Sequence, residues 1–218
     1  MPIESMSDFF AARVEGYDEH MIHNVLGCRE GYVKMASLIP PNTKTLLDLG
    51  CGTGLELDEI FKRFPNIEVT GIDLTREMLD KLRQKHPAKN MQLICGDYFK
   101  TDLGTGKFDC AVSFETMHHF TPENKTELYR RIYSAIKPGG CYIECDYMVE
   151  TQAEQEFLSA EAKRLRSEAG VIDDTAFYHI DTPCTIHNQE KMMIEAGFGD
   201  VRQIFRIGNT SILIAQKQ

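Results

Sequence analysis

The sequence predicts an α/β fold: a doubly wound, mostly parallel sheet of seven strands with helices on both faces and a helical cap at the N-terminus. Three observations predict it. An apolar run from Thr45 ends in Asp48 and then in three glycines, Gly50, Gly52 and Gly54, and an amphipathic helix pattern follows from Leu55 to Phe64. Strand-like and helix-like segments then alternate as far as residue 147, the pattern of parallel strands joined by crossover helices. Finally, two strand-like runs, 200–206 and 210–216, flank Gly208-Asn209, a hairpin turn signal that makes the last strand antiparallel to its neighbour.

The elements follow in order. Residues 5–39 read as two or three helices, closed by Pro40-Pro41. Strands are expected at 44–49, 67–73, 91–95, 108–114 and 140–147, and helices at 55–64, 75–86 and 122–136. Thr75 and Thr121 suit N-caps, and Pro122 suits a first helical turn. A helix rich in Glu, Ala, Lys and Arg spans 151–170, an irregular stretch covers 171–188, and a short helix at 188–196 stops at Gly197.

The strand–glycine turn–helix unit is the part that presents backbone N–H groups to a nucleotide-like ligand. A dinucleotide site wants its third glycine at the sixth position; here Leu55 stands there and the glycine falls one residue early. The next strand ends in Asp73, 23 positions after Gly50, close to the roughly 20 expected of a carboxylate that grips ribose hydroxyls.

Composition narrows the class. The chain has 218 residues, enough for one domain with a proper core, and 42% hydrophobic against 26% charged residues is ordinary for a globular protein. Neither a membrane span nor a secretory signal is visible, so a cytoplasmic location is expected. The seven cysteines form no Cys-x-x-Cys pair and read as reduced, mostly buried thiols. A net charge of −9 repels polyanions, which argues against a nucleic-acid substrate.

The run Asp48-Leu49-Gly50-Cys51-Gly52-Thr53-Gly54 resembles the first motif of class I S-adenosylmethionine-dependent methyltransferases. Asp73 matches the second-strand acid, Cys95-Gly96-Asp97-Tyr98 the third-strand element, Phe108–Phe114 the fourth strand and Lys137-Pro138-Gly139-Gly140 the turn before the fifth. The ordered set covers residues 44–147. The resemblance implies strand order 3-2-1-4-5-7-6. It implies one methyltransferase domain: a helical cap (1–40), a cofactor-binding core (41–147), a substrate-cap insertion (148–187) and a closing helix and hairpin (188–218).

The resemblance also assigns roles. Gly50, Gly52 and Gly54, with Cys51 between them, would flank the methionine part of S-adenosylmethionine. Asp48 would hold the loop or reach the amino group through water. Asp73 would accept both ribose hydroxyls, with Leu74 beside it, and Asp97 would accept the adenine amino group next to Tyr98. Phe114 opens the segment that faces the reacting methyl. Related enzymes carry an aromatic-Asp pair where this chain has Tyr17-Asp18, on a segment that closes over the cofactor; Tyr17 would reach toward the methionine carboxylate and Arg13 would pair with it. The N-terminus also resembles that of carboxy-S-adenosylmethionine synthases in its Arg13-Val14 and Met21-Ile22 pairs.

The expected activity is methyl transfer to a small-molecule acceptor by in-line displacement, with S-adenosylhomocysteine as product. His118 and His119 are the catalytic candidates, because a general base serves an acceptor that must lose a proton and histidine titrates near neutral pH. Packing at the strand-to-helix turn is the other reading, and adjacent turn residues rarely point the same way, so at most one is expected to face the methyl group. A paired-histidine metal site lacks a clear third ligand, so no metal is expected. Acceptor selection falls to the N-terminal helices and to residues 148–187, which hold Phe157, Phe177, Tyr178, His179, Cys184 and His187. An RNA-modifying methyltransferase, a carboxy-S-adenosylmethionine synthase and a non-catalytic cofactor-binding protein are the alternatives. Sequence leaves the acceptor atom and the oligomeric state open.

Overall fold

The computed structural model describes residues 3–171 and 177–218. Part of the expected irregular stretch therefore lies outside the described residues. The chain runs α1 (Met6–Ala11), α2 (Val14–His23), α3 (Cys28–Leu38), β1 (Thr45–Leu49), α4 (Leu55–Arg63), β2 (Glu68–Asp73), α5 (Arg76–Lys85), β3 (Met91–Cys95) and β4 (Phe108–Phe114). A 3₁₀ turn, Met117–His119, leads to α6 (Pro122–Ala135), β5 (Ile136–Tyr147), α7 (Gln152–Glu168), α8 (Ile186–Glu195), β6 (Asp200–Ile207) and β7 (Thr210–Gln216).

The seven strands form one sheet in the order β3-β2-β1-β4-β5-β7-β6. β1 to β5 pair in parallel, and β7 runs antiparallel to both β5 and β6. Alternate residues of β1 serve opposite faces: Leu46 packs with α3, α4 and α5 through Met35, Leu57 and Leu82, while Leu47 packs with α6 and α8 through Ile132 and Met193. Burial on both faces explains why the central strands read as continuous apolar runs. Asp48, in register with Leu46, lies on the α4 face beneath the glycine loop.

Most of the expected elements form, with three local departures. Thr121 caps α6 by accepting from Asn124 N, with Pro122 in the first turn. Thr75 makes no side-chain cap; its own N–H donates to the Asp73 carboxylate at 2.8 Å, a local turn just before the helix. α8 starts at Ile186 rather than 188 because Thr185 caps it. The fifth strand begins at Ile136, four residues before the expected start: Ile136 pairs with Phe108, and the register then shifts before Cys110 pairs with Cys141. Gly139, at φ 78°, sits inside that irregularity. The expected turn Lys137–Gly140 is thus a bulge within the strand, pinned by Lys137 Nζ to Asp109 at 2.7 Å.

Candidate functional site

The glycine loop hangs from the neighbouring strand, with Gly50 N and Cys51 N both donating to Ile72 O. Its three glycines have positive φ, but they face different surroundings. A side chain on Gly50 would strike Thr116, and one on Gly54 would strike Leu82. Gly52 alone of the three has room for a Cβ, which would meet only ordinary contacts, Gly50 O at 3.9 Å and Tyr17 Cε1 at 4.0 Å. Cys51 is buried, its sulfur against Gly71, so it supports the loop from below. Gly54 likewise packs inward.

The Asp73 carboxylate ties the loop down, accepting from Gly52 N at 2.9 Å and from Thr75 N. Burial raises its pKa despite these N–H donors. A small crevice of about 40 Å³ lies here, bounded by Gly50, Gly52, Asp73, Leu74, Tyr98 and Phe114. Met6, Phe10 and Tyr17, from α1 and α2, cover it. Tyr17 lies over Gly52, and Asp18 beside it accepts from Thr53 Oγ1 at 2.5 Å and pairs with Lys85 at 3.3 Å.

Two predicted residues stand elsewhere. Asp97 accepts from Phe99 N at 2.8 Å and pairs with Lys100, so its carboxylate closes its own turn and does not line the crevice. Arg13 stacks on Phe9 and pairs with Glu4 at 3.1 Å, away from the glycine loop. Asp48 is fully buried, and neither carboxylate oxygen has a hydrogen-bonding partner; Oε1 of buried Glu56 lacks one too. Burial pushes Asp48 up to about 7, and burial followed by the charge of Asp48 pushes Glu56 well above the carboxylate range. The two acids lie beneath the loop, with Lys85 as a cation acting on Glu56, and their raised pKa values mean that the pair holds at least one proton near neutral pH.

Beyond the crevice opens a cavity of about 930 Å³, mostly apolar, walled by α1, α2, the end of β4, the 178–181 segment and the β6–β7 turn. Phe10, Tyr17, Glu115 and His119 border both spaces. Glu115 is the one non-glycine residue with positive φ among the described residues, at 48°, a strained conformation where β4 ends. Burial raises its pKa to about 7 against the neighbouring His118.

Both histidines line the large cavity, with ring centroids 4.0 Å apart, and His119 alone of the two also borders the crevice over the glycine loop. His118 and His119 occupy successive positions of a 3₁₀ turn and splay by 54° toward the same space. His118 Nδ1 meets Asp146 Oδ1 at 2.7 Å; burial lowers its pKa, but Asp146 with Glu115 and Asp181 outweighs burial and raises it to about 9. Burial, then the charge of His118, lowers His119 to about 4. Asp181 Oδ1 lies 3.2 Å from His119 Nδ1 and 3.8 Å from His118 Nε2. The structure therefore supplies the third group that the sequence did not reveal. Asp146 and Asp181 carry no local motif; only chain topology brings them to the histidines. His179 joins the cavity wall, stacked on Phe9 at 3.5 Å, whereas Phe157 is 65% exposed and Cys184 is buried against Lys125.

Residues 46–140 match the family model for a methyltransferase domain. The chain is 28% identical over 190 residues to the carboxy-S-adenosyl-L-methionine synthase of Wolinella succinogenes, covering 82% of this chain and 78% of that protein. Among solved structures, a putative O-methyltransferase from Nostoc punctiforme superposes with a TM-score of 0.74 at 20% identity over 98% of this chain. Human N-acetylserotonin methyltransferase in complex with S-adenosylmethionine superposes with 0.69 at 16% identity over 97%. The chain spans 62% and 56% of those two structures' lengths. The matched motif, the sheet order and these relatives lead to one conclusion: residues 46–140 carry a methyltransferase domain of the class I S-adenosylmethionine-dependent kind, whose cofactor is S-adenosylmethionine.

Proposed function

We propose that the chain transfers the methyl group of S-adenosylmethionine to a small-molecule acceptor held in the 930 Å³ cavity. The observation that carries this reading is the pair of adjoining spaces, one over the glycine loop and one large and apolar, sharing Phe10, Tyr17, Glu115 and His119 as a common wall. The residues present fit the cofactor. Gly52 leaves bare backbone, Asp73 offers a half-buried carboxylate at the second-strand end, and Asp48 supports the loop from beneath. Leu74, Tyr98 and Phe114 supply apolar walls.

Bound S-adenosylmethionine supplies a sulfonium methyl carbon open to in-line displacement. The chain's own contribution is alignment and exclusion of water. Phe10 and Tyr17 cover the crevice, and the apolar cavity walls orient the acceptor. His119, at the junction, anchors the acceptor's reacting heteroatom, with His118 beside it in the large cavity. Asp146 fixes the His118 ring, and Thr182, by bonding His118 O and Phe120 O, fixes the turn that carries both histidines.

The test has two stages. Calorimetry with S-adenosylmethionine measures the cofactor reading. Incubation with a panel of amines, phenols, thiols and carboxylates, read by mass spectrometry, measures transfer. Binding without any methylated product across a broad panel would count against the acceptor reading. A second reading, carboxy-S-adenosylmethionine synthesis, is favoured by the relative from Wolinella succinogenes. With a carboxylate in the panel that can give up its carboxyl group as CO2, a product heavier than S-adenosylmethionine by one CO2, the methyl carbon having lost a proton, would decide for it in the same spectra.

A further inference from the structure

We propose that His118, His119 and Asp181 form a binding site for a borderline divalent cation, of the zinc, cobalt or iron(II) type, that opens into the large cavity. The three ligand atoms lie within 4.8 Å of one another, with Asp181 Oδ1 at 3.2 Å from one histidine and 3.8 Å from the other. Ligands held about 2.0–2.2 Å from one metal stand roughly 3.0–3.5 Å apart, so little movement closes the set. Two imidazole nitrogens and one carboxylate oxygen suit first-row transition ions rather than magnesium or calcium.

Unsatisfied atoms point the same way. His119 Nδ1 and Asp181 Oδ1 are both buried and lack a hydrogen-bond partner, although they face each other. Such groups normally find partners. A shared cation satisfies both at once. The surrounding groups also have the arrangement a metal site needs. His118 turns Nδ1 to the buried Asp146 carboxylate, which leaves Nε2 toward Asp181; ligating histidines commonly make this carboxylate contact through their other ring nitrogen. Glu115 lies 3.6 Å from the same Nδ1, so three carboxylates surround two histidines. Asp181 is held opposite them by the chain itself, since Thr182 N donates to His118 O at 2.6 Å.

All three ligands line the 930 Å³ cavity, which gives the ion an entry path and leaves coordination positions facing the space assigned to the acceptor. An acceptor oxygen or sulfur could occupy one of them. That use rests on the methyl-transfer reading; the metal site itself rests on the geometry alone.

The experiment strips the full chain with a chelator and titrates it with Co²⁺, following visible absorption, and with Zn²⁺ by calorimetry. About one equivalent should bind, with a cobalt band of a nitrogen–oxygen site and a raised melting temperature. Asp181→Asn and His119→Ala should each weaken binding at least tenfold, and Asp146→Asn by about 10–100-fold through loss of ring orientation. His23→Ala, at an exposed position of α2, should change nothing. Absence of binding, or binding indifferent to Asp181→Asn and His119→Ala, overturns the inference. Affinity for S-adenosylmethionine is measured on the same samples: its loss in the wild type would remove the methyl-transfer reading and leave the metal result standing.

Discussion

At the residue scale, Asp73 carries two duties that pull against each other. It bonds Gly52 N and Thr75 N, and it is the acid offered to the cofactor ribose. Asp73→Ala should weaken S-adenosylmethionine binding about ten- to a hundredfold, the effect of losing a charge-assisted hydrogen bond of roughly 1.5–3 kcal/mol. The melting temperature should fall as well, because two backbone donors lose their acceptor. Unchanged affinity in calorimetry would remove Asp73 from the site. His119 makes a separate case, since it stands where the two spaces meet. His119→Asn should lower turnover by about 10²–10⁴-fold while cofactor affinity stays within about twofold. A variant that turns over normally would confine His119 to packing.

At the element scale, α1 and α2 decide access. The crevice over the glycine loop is narrow, and Met6, Phe10 and Tyr17 cover it. We expect these two helices to shift as the cofactor enters. They are short, and Asp18, through Thr53 and Lys85, is a polar tie to the loop and α5. Hydrogen exchange over residues 6–23 should therefore be fast in the free protein and slow markedly with S-adenosylhomocysteine. Equal protection with and without ligand would show that the cofactor enters by another route.

At the scale of the whole molecule, buried acids set the pH response. Asp48 lies with Glu56, Asp73 and Cys51 around it, and burial holds it at about 7. Glu144 is also at about 7, through burial and then Asp146, against Gln189, Tyr129 and Lys125. A carboxyl whose folded pKa exceeds its unfolded value of about 4 binds more protons when folded, so stability falls as pH rises between those values. Asp109 has the opposite sign: despite burial, Lys137 and the N–H groups of Lys44 and Thr45 hold it low, so its contribution is lost only in strong acid. The ligand-free protein should melt higher at about pH 5 than at about pH 8, and Asp48→Asn should flatten that slope. A melting temperature that climbs across the window would contradict this account.

Local sequence determined what local chemistry can encode. Apolar runs became central strands, Thr121-Pro122 started α6, Gly208-Asn209 turned the hairpin, and three glycines after Asp48 made the loop. Tertiary structure decided the rest. Glycine spacing predicts a tight turn, but only packing shows that Gly52 faces the crevice while Gly54 backs onto Leu82. The pair His118-His119 is visible in the chain, whereas Asp146 and Asp181 are 28 and 62 or more positions away and reach it only because β5 lies beside β4 and Thr182 is bonded to the turn. Periodicity records which face a residue presents to its own element; it holds no record of which distant side chain will share that space, and the chemistry of this site lies in that sharing.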